Sequence, residues 1–198
     1  MTTRPLTVLI YLFDEIEVLD FAGPFEVLSL AMKEEQPFFR VKTISETGKS
    51  VRARNGLTVV PDYGFDTWDD KADIVIIPGG HGARETEIHK KNVLEWIQTV
   101  YQETTILASV CTGSFLLAEA GLLTGKEATT HWASLERFKQ TYPTVQVKQQ
   151  VKFVDQGDII TSAGISAGIN MSFHLVKKLV GLEQAKSVAK RMEYDIEM

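Results

Sequence analysis

The segment that most constrains the fold is residues 106–121, Ile-Leu-Ala-Ser-Val-Cys-Thr-Gly-Ser-Phe-Leu-Leu-Ala-Glu-Ala-Gly. It begins with an apolar run typical of a buried strand, and at Cys111 the apolar spacing changes to that of a helix. We expect this helix to end at Gly121, because glycine favours helix C-termini. The small residues Ser109 and Gly113 stand two positions either side of Cys111. The pattern predicts a nucleophile elbow, a sharp strand-to-helix turn, with Cys in place of the usual Ser.

Cys111 is the only cysteine in the sequence, and the predicted turn makes it the candidate nucleophile. The first N–H groups of the following helix would favour negative charge near its sulfur. The alternative is a structural role, since a lone cysteine among Ile, Leu and Ala neighbours often packs as a small hydrophobe. The elbow spacing favours catalysis over packing.

Strand-like and helix-like segments alternate along the rest of the chain. Strands are predicted at residues 6–13, 38–44, 56–60, 72–77, 128–132, 145–148, 151–154 and 159–161. Helices are predicted at residues 21–32, 91–102, 134–141 (capped by Ser134), within 162–180, and at 183–193. Alternation of this kind indicates a three-layer α/β/α sandwich with a mainly parallel central sheet. We expect one domain over residues 1–198.

The composition limits the classes of protein to which the chain can belong. It has 198 residues, 44% of them hydrophobic and 24% charged, as is ordinary for a globular protein. The net charge of −5 argues against nonspecific nucleic-acid binding. A single cysteine cannot form an internal disulfide, and residues 1–5 are too short for a signal peptide, so we expect a cytoplasmic protein. No apolar run approaches the roughly 20 residues that span a bilayer.

Asp20 is the candidate acid/base group, because it lies between the first predicted strand and its helix. Ligands of open α/β sheets bind at the carboxyl ends of the strands, where Cys111 is also expected. As an alternative, Asp20 caps the helix, although Gly23 stands where a capping box would have Glu or Gln. Its apolar neighbours suggest a partly desolvated carboxyl with a raised pKa, able to exchange a proton with the thiol.

Backbone donors are expected from two other segments at the same edge. Gly79 and Gly80 follow a buried strand, and we expect the N–H groups of Gly80 and Thr112 to form an oxyanion-type pair. The Thr112 hydroxyl is a further candidate. His81, in the same glycine turn, is a candidate pocket residue.

The remaining histidines differ in their predicted roles. His131 follows a predicted strand, and pairing with Cys111 would lower the pKa of the thiol. His89 lies in a charged stretch and is expected to be solvated, and His174 lies on an apolar helix and is expected to be structural. No zinc-ligand spacing, dinucleotide fingerprint or phosphate loop is present, so we expect neither metal nor cofactor. The glycine-rich segment 164–168 is interpreted as a close-packing helix start.

The motifs together resemble those of the ThiJ/PfpI superfamily. They are Val-Leu-Asp20-Phe-Ala-Gly-Pro, Ile-Pro-Gly-Gly80, Ser-Val-Cys111-Thr-Gly-Ser, Ala-Gly-Leu-Leu-Thr-Gly-Lys, Ala-Thr-Thr-His131-Trp and Ser-Ala-Gly-Ile-Ser-Ala-Gly-Ile-Asn. The resemblance extends from residue 6 to about residue 194. It is strongest to the isocyanide hydratase branch and to the amidotransferase-like domains of AraC-type regulators.

The resemblance implies a flavodoxin-like, class I glutamine-amidotransferase-like fold and a homodimer with the thiol near the subunit interface. By similarity to the hydratases, Cys111 is the nucleophile, Asp20 the acid/base group and Thr112 a supporting hydroxyl. Thr112 stands where PfpI-type proteases have His, and no later His-x-Glu pair of glutamine amidotransferases is found. The regulators add a DNA-binding domain of about a hundred residues that this sequence lacks, so we expect no nucleic-acid partner.

The leading hypothesis is therefore a cysteine-dependent enzyme acting on a small molecule, an isocyanide hydratase that forms N-substituted formamides through a thioimidate on Cys111. One alternative is a non-enzymatic oxidation or ligand sensor, which would use an exposed thiol of low pKa. A glyoxalase-like activity, or an amidase- or protease-like one, is the other.

Overall fold

The structure is a computed structural model and describes residues 4–196. Its strands are β1 (Leu6–Tyr11), β2 (Met32–Lys33), β3 (Gln36–Pro37), β4 (Phe39–Ser45), β5 (Val51–Arg52), β6 (Thr58–Val59), β7 (Tyr63–Gly64), β8 (Ile74–Ile77), β9 (Ile106–Ser109), β10 (Glu127–Ala128), β11 (Gln146–Val147), β12 (Phe153–Asp155) and β13 (Ile159–Ser162). Its helices are α1 (Val18–Ser29), α2 (His81–Glu85), α3 (Lys91–Glu103), α4 (Gly113–Glu119), α5 (Leu135–Thr141), α6 (Ala167–Leu179) and α7 (Leu182–Arg191). The single domain over 1–198 stays a prediction, and its ends, residues 1–3 and 197–198, lie outside the described part.

The central sheet has seven strands in the order β12-β13-β9-β8-β1-β4-β7. All neighbouring strands are parallel except β12 and β13. Strands β8 and β9 are buried along their whole length, which explains their unbroken apolar sequences. The predicted strands near residues 58, 128 and 146 instead form small two-stranded ribbons, β5 with β6 and β10 with β11.

Helices cover both faces of the sheet and complete the predicted α/β/α sandwich. Helices α1, α6 and α7 pack together, and α2, α3 and α4 pack together. The core between the layers includes Tyr11, Phe115, Phe138 and Phe173, all fully buried. Within residues 4–196, no helix is both long enough and apolar enough to cross a membrane.

Helix α1 begins three residues earlier than predicted, at Val18, and ends at Ser29, so Met32 lies in β2 instead. Pro24 lies in the second turn of α1. A proline there provides no N–H for the carbonyl four residues earlier, which belongs to Asp20. The earlier start places Asp20 in the first turn of the helix, and the N-cap is Glu17. The alternative that Asp20 caps the helix is therefore wrong.

Two other predicted helix ends have different outcomes. Gly121 follows α4 with φ +78°, the left-handed conformation expected after a helix C-terminus. Ser134 precedes α5, but its side chain makes no capping hydrogen bond. A short 3-10 turn, Trp132–Ser134, leads directly into α5 and carries the backbone into the helix.

Candidate active site

The predicted turn at Cys111 is present, and main-chain atoms hold it on both sides. Strand β9, which leads into this turn, lies between β8 and β13 in the sheet. The Val110 N–H donates to the Ile77 carbonyl oxygen at 3.0 Å, and the Cys111 N–H lies 3.2 Å from the Ser162 carbonyl oxygen. Cys111 has φ +55°, a conformation that non-glycine residues rarely adopt and that is common at functional sites. A Cβ at Gly113 would lie 2.1 Å from the Ile77 carbonyl oxygen, so the small residue there is required.

Asp20 lies beside the thiol and has no solvent-exposed surface. Its Oδ2 accepts a hydrogen bond from the Gly79 N–H at 3.0 Å, while its buried Oδ1 has no well-formed partner among the described residues. Burial raises the pKa of the Asp20 carboxyl to about 7, although the Gly79 N–H opposes this shift. Contacts with the Cys111 thiol and the Ile165 N–H oppose it further. A carboxyl of this pKa both donates and accepts protons near neutral pH.

The Cys111 thiol is only 5% exposed and is protonated at rest. Burial, and then the nearby Asp20 charge, raises its pKa to about 12, while the N–H groups of Thr112 and Ile165 favour the thiolate. The oxidation-sensor hypothesis assumed an exposed thiol of low pKa, whereas the Cys111 thiol is buried and its pKa is raised. The thiol instead needs a nearby group to accept its proton during the reaction, and Asp20 is in position to do so.

Thr112 and Gly80 hold two loops of the site together. The Gly80 N–H donates to Thr112 Oγ1 at 2.9 Å, and the same hydroxyl donates to the Gly80 carbonyl oxygen at 3.0 Å. The Gly80 N–H therefore already has an acceptor and is not a free oxyanion donor, contrary to expectation. Gly79 likewise binds Asp20 instead of facing the cavity.

The second backbone donor beside the sulfur belongs to Ile165, which the sequence reasoning missed. Its N–H interacts with both the Cys111 sulfur and the Asp20 carboxyl. Ile165 has φ +50°, an outlier for a β-branched residue, and this conformation lies in the loop between β13 and α6. The glycine-rich segment 164–168 is the sequence signal for this loop, although its pattern indicates only a helix start that packs closely.

A cavity of about 480 Å³ lies above Cys111, with Gly80, Ile165 and His131 among its lining residues. His131 Nδ1 accepts a hydrogen bond from the Ala133 N–H at 3.2 Å, and no described hydrogen bond joins it to the thiol. Burial, and then the Arg84 charge, lowers the pKa of His131. The imidazole is therefore neutral near pH 7 and forms part of the cavity wall. The predicted thiol-activating pair is therefore not formed.

The other histidines lie away from the thiol. His81 is exposed at the start of α2 and is not among the residues lining the cavity. His89 is exposed, as expected. His174 Nε2 lies 2.7 Å from Asp155 Oδ2, in agreement with its predicted structural role. Among residues 4–196, no group of three or more His, Cys, Asp or Glu side chains is arranged to hold a metal ion.

The chain is similar in sequence to proteins of two kinds. It is 33% identical over 183 residues to the isonitrile hydratase of Pseudomonas putida, covering 92% of this chain and 76% of that protein. It is 29% identical over 193 residues to the HTH-type transcriptional regulator GbdR of Pseudomonas aeruginosa, covering 97% of this chain. The chain spans only 52% of the regulator's length.

Solved structures show the same fold. A ThiJ/PfpI family protein from Pseudomonas syringae superposes with a TM-score of 0.87 at 23% identity, over 98% of this chain and 77% of that one. Drosophila melanogaster DJ-1beta superposes with a TM-score of 0.84 at 21% identity, over 98% of this chain and all (100%) of that one. The sequence profile of the DJ-1/PfpI family matches residues 6–178. Because this match covers most of the sheet, the elbow and the Asp20 helix, the chain belongs to the DJ-1/PfpI family and has its flavodoxin-like α/β fold.

Proposed function

We propose that this chain is a cysteine-dependent enzyme that hydrates an isocyanide to an N-substituted formamide. The observation that carries the proposal is the pairing of a buried Asp20 carboxyl, with a pKa near 7, and the Cys111 thiol beneath a cavity. The 33% identity to an isonitrile hydratase supports this choice of reaction. The active residues are Cys111, Asp20 and Thr112.

The first step joins the thiol to the terminal carbon of the isocyanide, R–N≡C. The sulfur forms the new S–C bond while its proton passes to the Asp20 carboxylate. Asp20 then delivers this proton to the same carbon, which gives the thioimidate Cys–S–CH=N–R. A pKa near 7 suits both transfers, because general acid–base groups work best when their pKa is near the operating pH.

The second step consumes water. Asp20, ionised again, removes a proton from a water molecule as its oxygen attacks the thioimidate carbon. Asp20 passes this proton to the nitrogen. The C–S bond then breaks as the C=O bond forms, and the proton of the former water oxygen passes to the sulfur. The products are R–NH–CHO and the free thiol, so one isocyanide and one water give one formamide. The N–H groups of Thr112 and Ile165 stabilise negative charge on the sulfur in both steps.

The test is formamide release from an alkyl and an aryl isocyanide by the purified protein. Cys111→Ala should abolish turnover, since no other thiol exists in the chain. Ser172→Ala is a matched control: it also removes one buried heteroatom, whose hydrogen bond at 2.8 Å goes to the Gly168 carbonyl oxygen. Turnover that persists in Cys111→Ala, with circular dichroism like that of the wild type, contradicts the proposal. Lactate formation from methylglyoxal instead would support the glyoxalase-like alternative.

A second candidate function is the binding of a small molecule without chemistry, as in a regulatory domain. It is favoured by the similarity to the regulator, which extends over 97% of this chain. Under this alternative, a ligand would bind Cys111→Ala as tightly as the wild type and would be recovered unchanged. In either role we also propose a cytoplasmic homodimer. Sedimentation should then give twice the chain mass of 22.1 kDa, and the mass of a single chain would contradict a dimer.

A further inference from the structure

The wall of the cavity above Cys111 carries more positive than negative side chains. Arg54, Arg84 and Arg137 line it, and Glu17 is the only carboxylate among the lining residues. This excess is local, because the whole chain has a net charge of −5. Charged walls of one sign concentrate ligands of the opposite sign.

Two of these arginines share one carboxylate outside the lining. Arg137 Nη1 lies 2.5 Å from Glu85 Oε1, and Arg84 Nε lies 3.5 Å from the same oxygen. Arg137 also donates from Nη2 to the Arg84 carbonyl oxygen at 3.0 Å. One negative charge therefore serves two guanidinium groups, and this side of the cavity keeps a positive balance.

Arg54 lines the cavity from a different segment of the chain. Its backbone N–H donates to the Ile16 carbonyl oxygen at 2.9 Å, which fixes the turn Arg54–Gly56 next to the loop before α1. Its guanidinium makes no ion pair or hydrogen bond within residues 4–196, although the residue is half-buried. A half-buried guanidinium on a cavity wall is suited to bidentate binding of a carboxylate.

We propose that the substrate of this site carries a carboxylate, which Arg54 binds while Arg84 and Arg137 supply further positive charge. The cavity volume of about 480 Å³ is in the range of small-molecule sites. The reaction in this inference rests on the proposed function, whereas the preference for an anionic ligand rests on the three arginines alone. An isocyano-carboxylate would be hydrated to the corresponding formamido-carboxylate, with one water consumed and the carboxylate unchanged.

The anion preference is tested by alkylating Cys111 with iodoacetate and with iodoacetamide. These reagents differ in charge but form the same S–C bond with loss of iodide, so the ratio of their rates cancels the reactivity of the thiol. We expect the iodoacetate-to-iodoacetamide ratio to exceed that of glutathione at least tenfold. Arg54→Gln should lower the ratio several-fold, and Arg52→Gln, at an exposed position outside the cavity lining, should not. A ratio equal to that of glutathione, or unaffected by Arg54→Gln, overturns the inference.

Turnover separates this inference from the proposed function. Isocyanoacetate should be hydrated to N-formylglycine with a kcat/KM at least tenfold above that of its methyl ester, and Arg54→Gln should raise the KM of the acid far more than that of the ester. Hydration of both without preference overturns the inference and leaves the hydratase proposal standing. No hydration of either, with the alkylation preference intact, contradicts the hydratase and supports the anion site.

Discussion

Residues 4–196 include two fully buried carboxyl groups, and these lie in opposite electrostatic settings. Asp20 is 0% exposed; its Oδ2 accepts a hydrogen bond from the Gly79 N–H, and its other polar neighbours are the Cys111 thiol and the Ile165 N–H. Glu87 is 1% exposed, but its Oε2 accepts from the Tyr11 hydroxyl at 2.6 Å and its Oε1 lies 3.0 Å from Lys90 Nζ. Lys90 in turn pairs with Glu46 at 2.9 Å.

The difference shows that burial alone does not define a reactive carboxyl. Glu87 has a cation and a hydroxyl as partners, and polar groups buried in a stable core need such partners. Asp20 has no cation partner, and the nearby thiol adds no positive charge. Asp20 therefore holds or releases its proton near neutral pH, at a cost in stability that Glu87 avoids. Three predictions test this contrast.

The largest difference is expected in activity. Asp20→Asn should lower kcat/KM for isocyanide hydration by about 10³-fold, because the amide cannot carry the proton between thiol, carbon and water. Glu87→Gln is an equally conservative change of a buried carboxyl. Its kcat/KM should stay within threefold of the wild-type value after correction for the fraction of folded protein. Steady-state kinetics on both variants, side by side, measure the effect. Equal losses in the two variants would remove the distinction.

The next effect concerns stability against pH. The pKa of Asp20 is raised to about 7 in the folded protein, above the unfolded value of about 3.9. The folded state then binds more protons between these values, so stability falls as pH rises through this window. Relative to the wild type, Asp20→Asn should therefore gain about 2–3 kcal/mol in unfolding free energy from pH 5 to pH 8.

Urea unfolding of both proteins at the two pH values provides the measurement. The comparison is internal, because all other titrating groups are common to both proteins. A stability difference that stays flat across this range would show that the Asp20 carboxyl titrates normally.

The smallest effect is expected on the Glu87 side. Tyr11→Phe removes the hydroxyl that donates to Glu87 Oε2 and should destabilise the fold by about 1–2 kcal/mol, the usual cost of an unsatisfied buried acceptor. The melting temperature should drop by several degrees. Hydration kinetics should be unaffected, since this pair lies outside the cavity above Cys111. A loss of activity larger than the loss of folded protein would show that the two buried carboxyls are coupled.

The sequence predicted the layers and the elbow because those features are local. The apolar runs that became β1, β8 and β9 and the small residues around Cys111 each restrict the backbone within a few positions. The start of α1 was predicted three residues too late, at residue 21 instead of Val18. The packing of α1 against α6 and β4, which lie elsewhere in the sequence, accompanies a helix with Pro24 in its second turn.

The site was predicted only in part, because hydrogen-bond partners depend on contacts between distant segments. Cys111 and Asp20 meet at the expected sheet edge. The Gly80 N–H, expected to be free, is bound by Thr112, 32 residues away. Ile165 was missed because it contributes a backbone N–H. Every residue except proline has this group, so the identity of the side chain does not mark it in the sequence. The cavity arginines come from three separate segments, and nothing local marks them as neighbours.

The turn at residue 111 has a consequence for how proteins of this fold diverge. Its geometry depends on main-chain bonds to the strands on either side and on the absence of a side chain at Gly113. A descendant that exchanged the sulfur for another small group would keep the same hollow and the same surrounding donors. Under the proposed function, a single substitution at Cys111 would therefore remove the chemistry and leave the cavity able to bind a ligand.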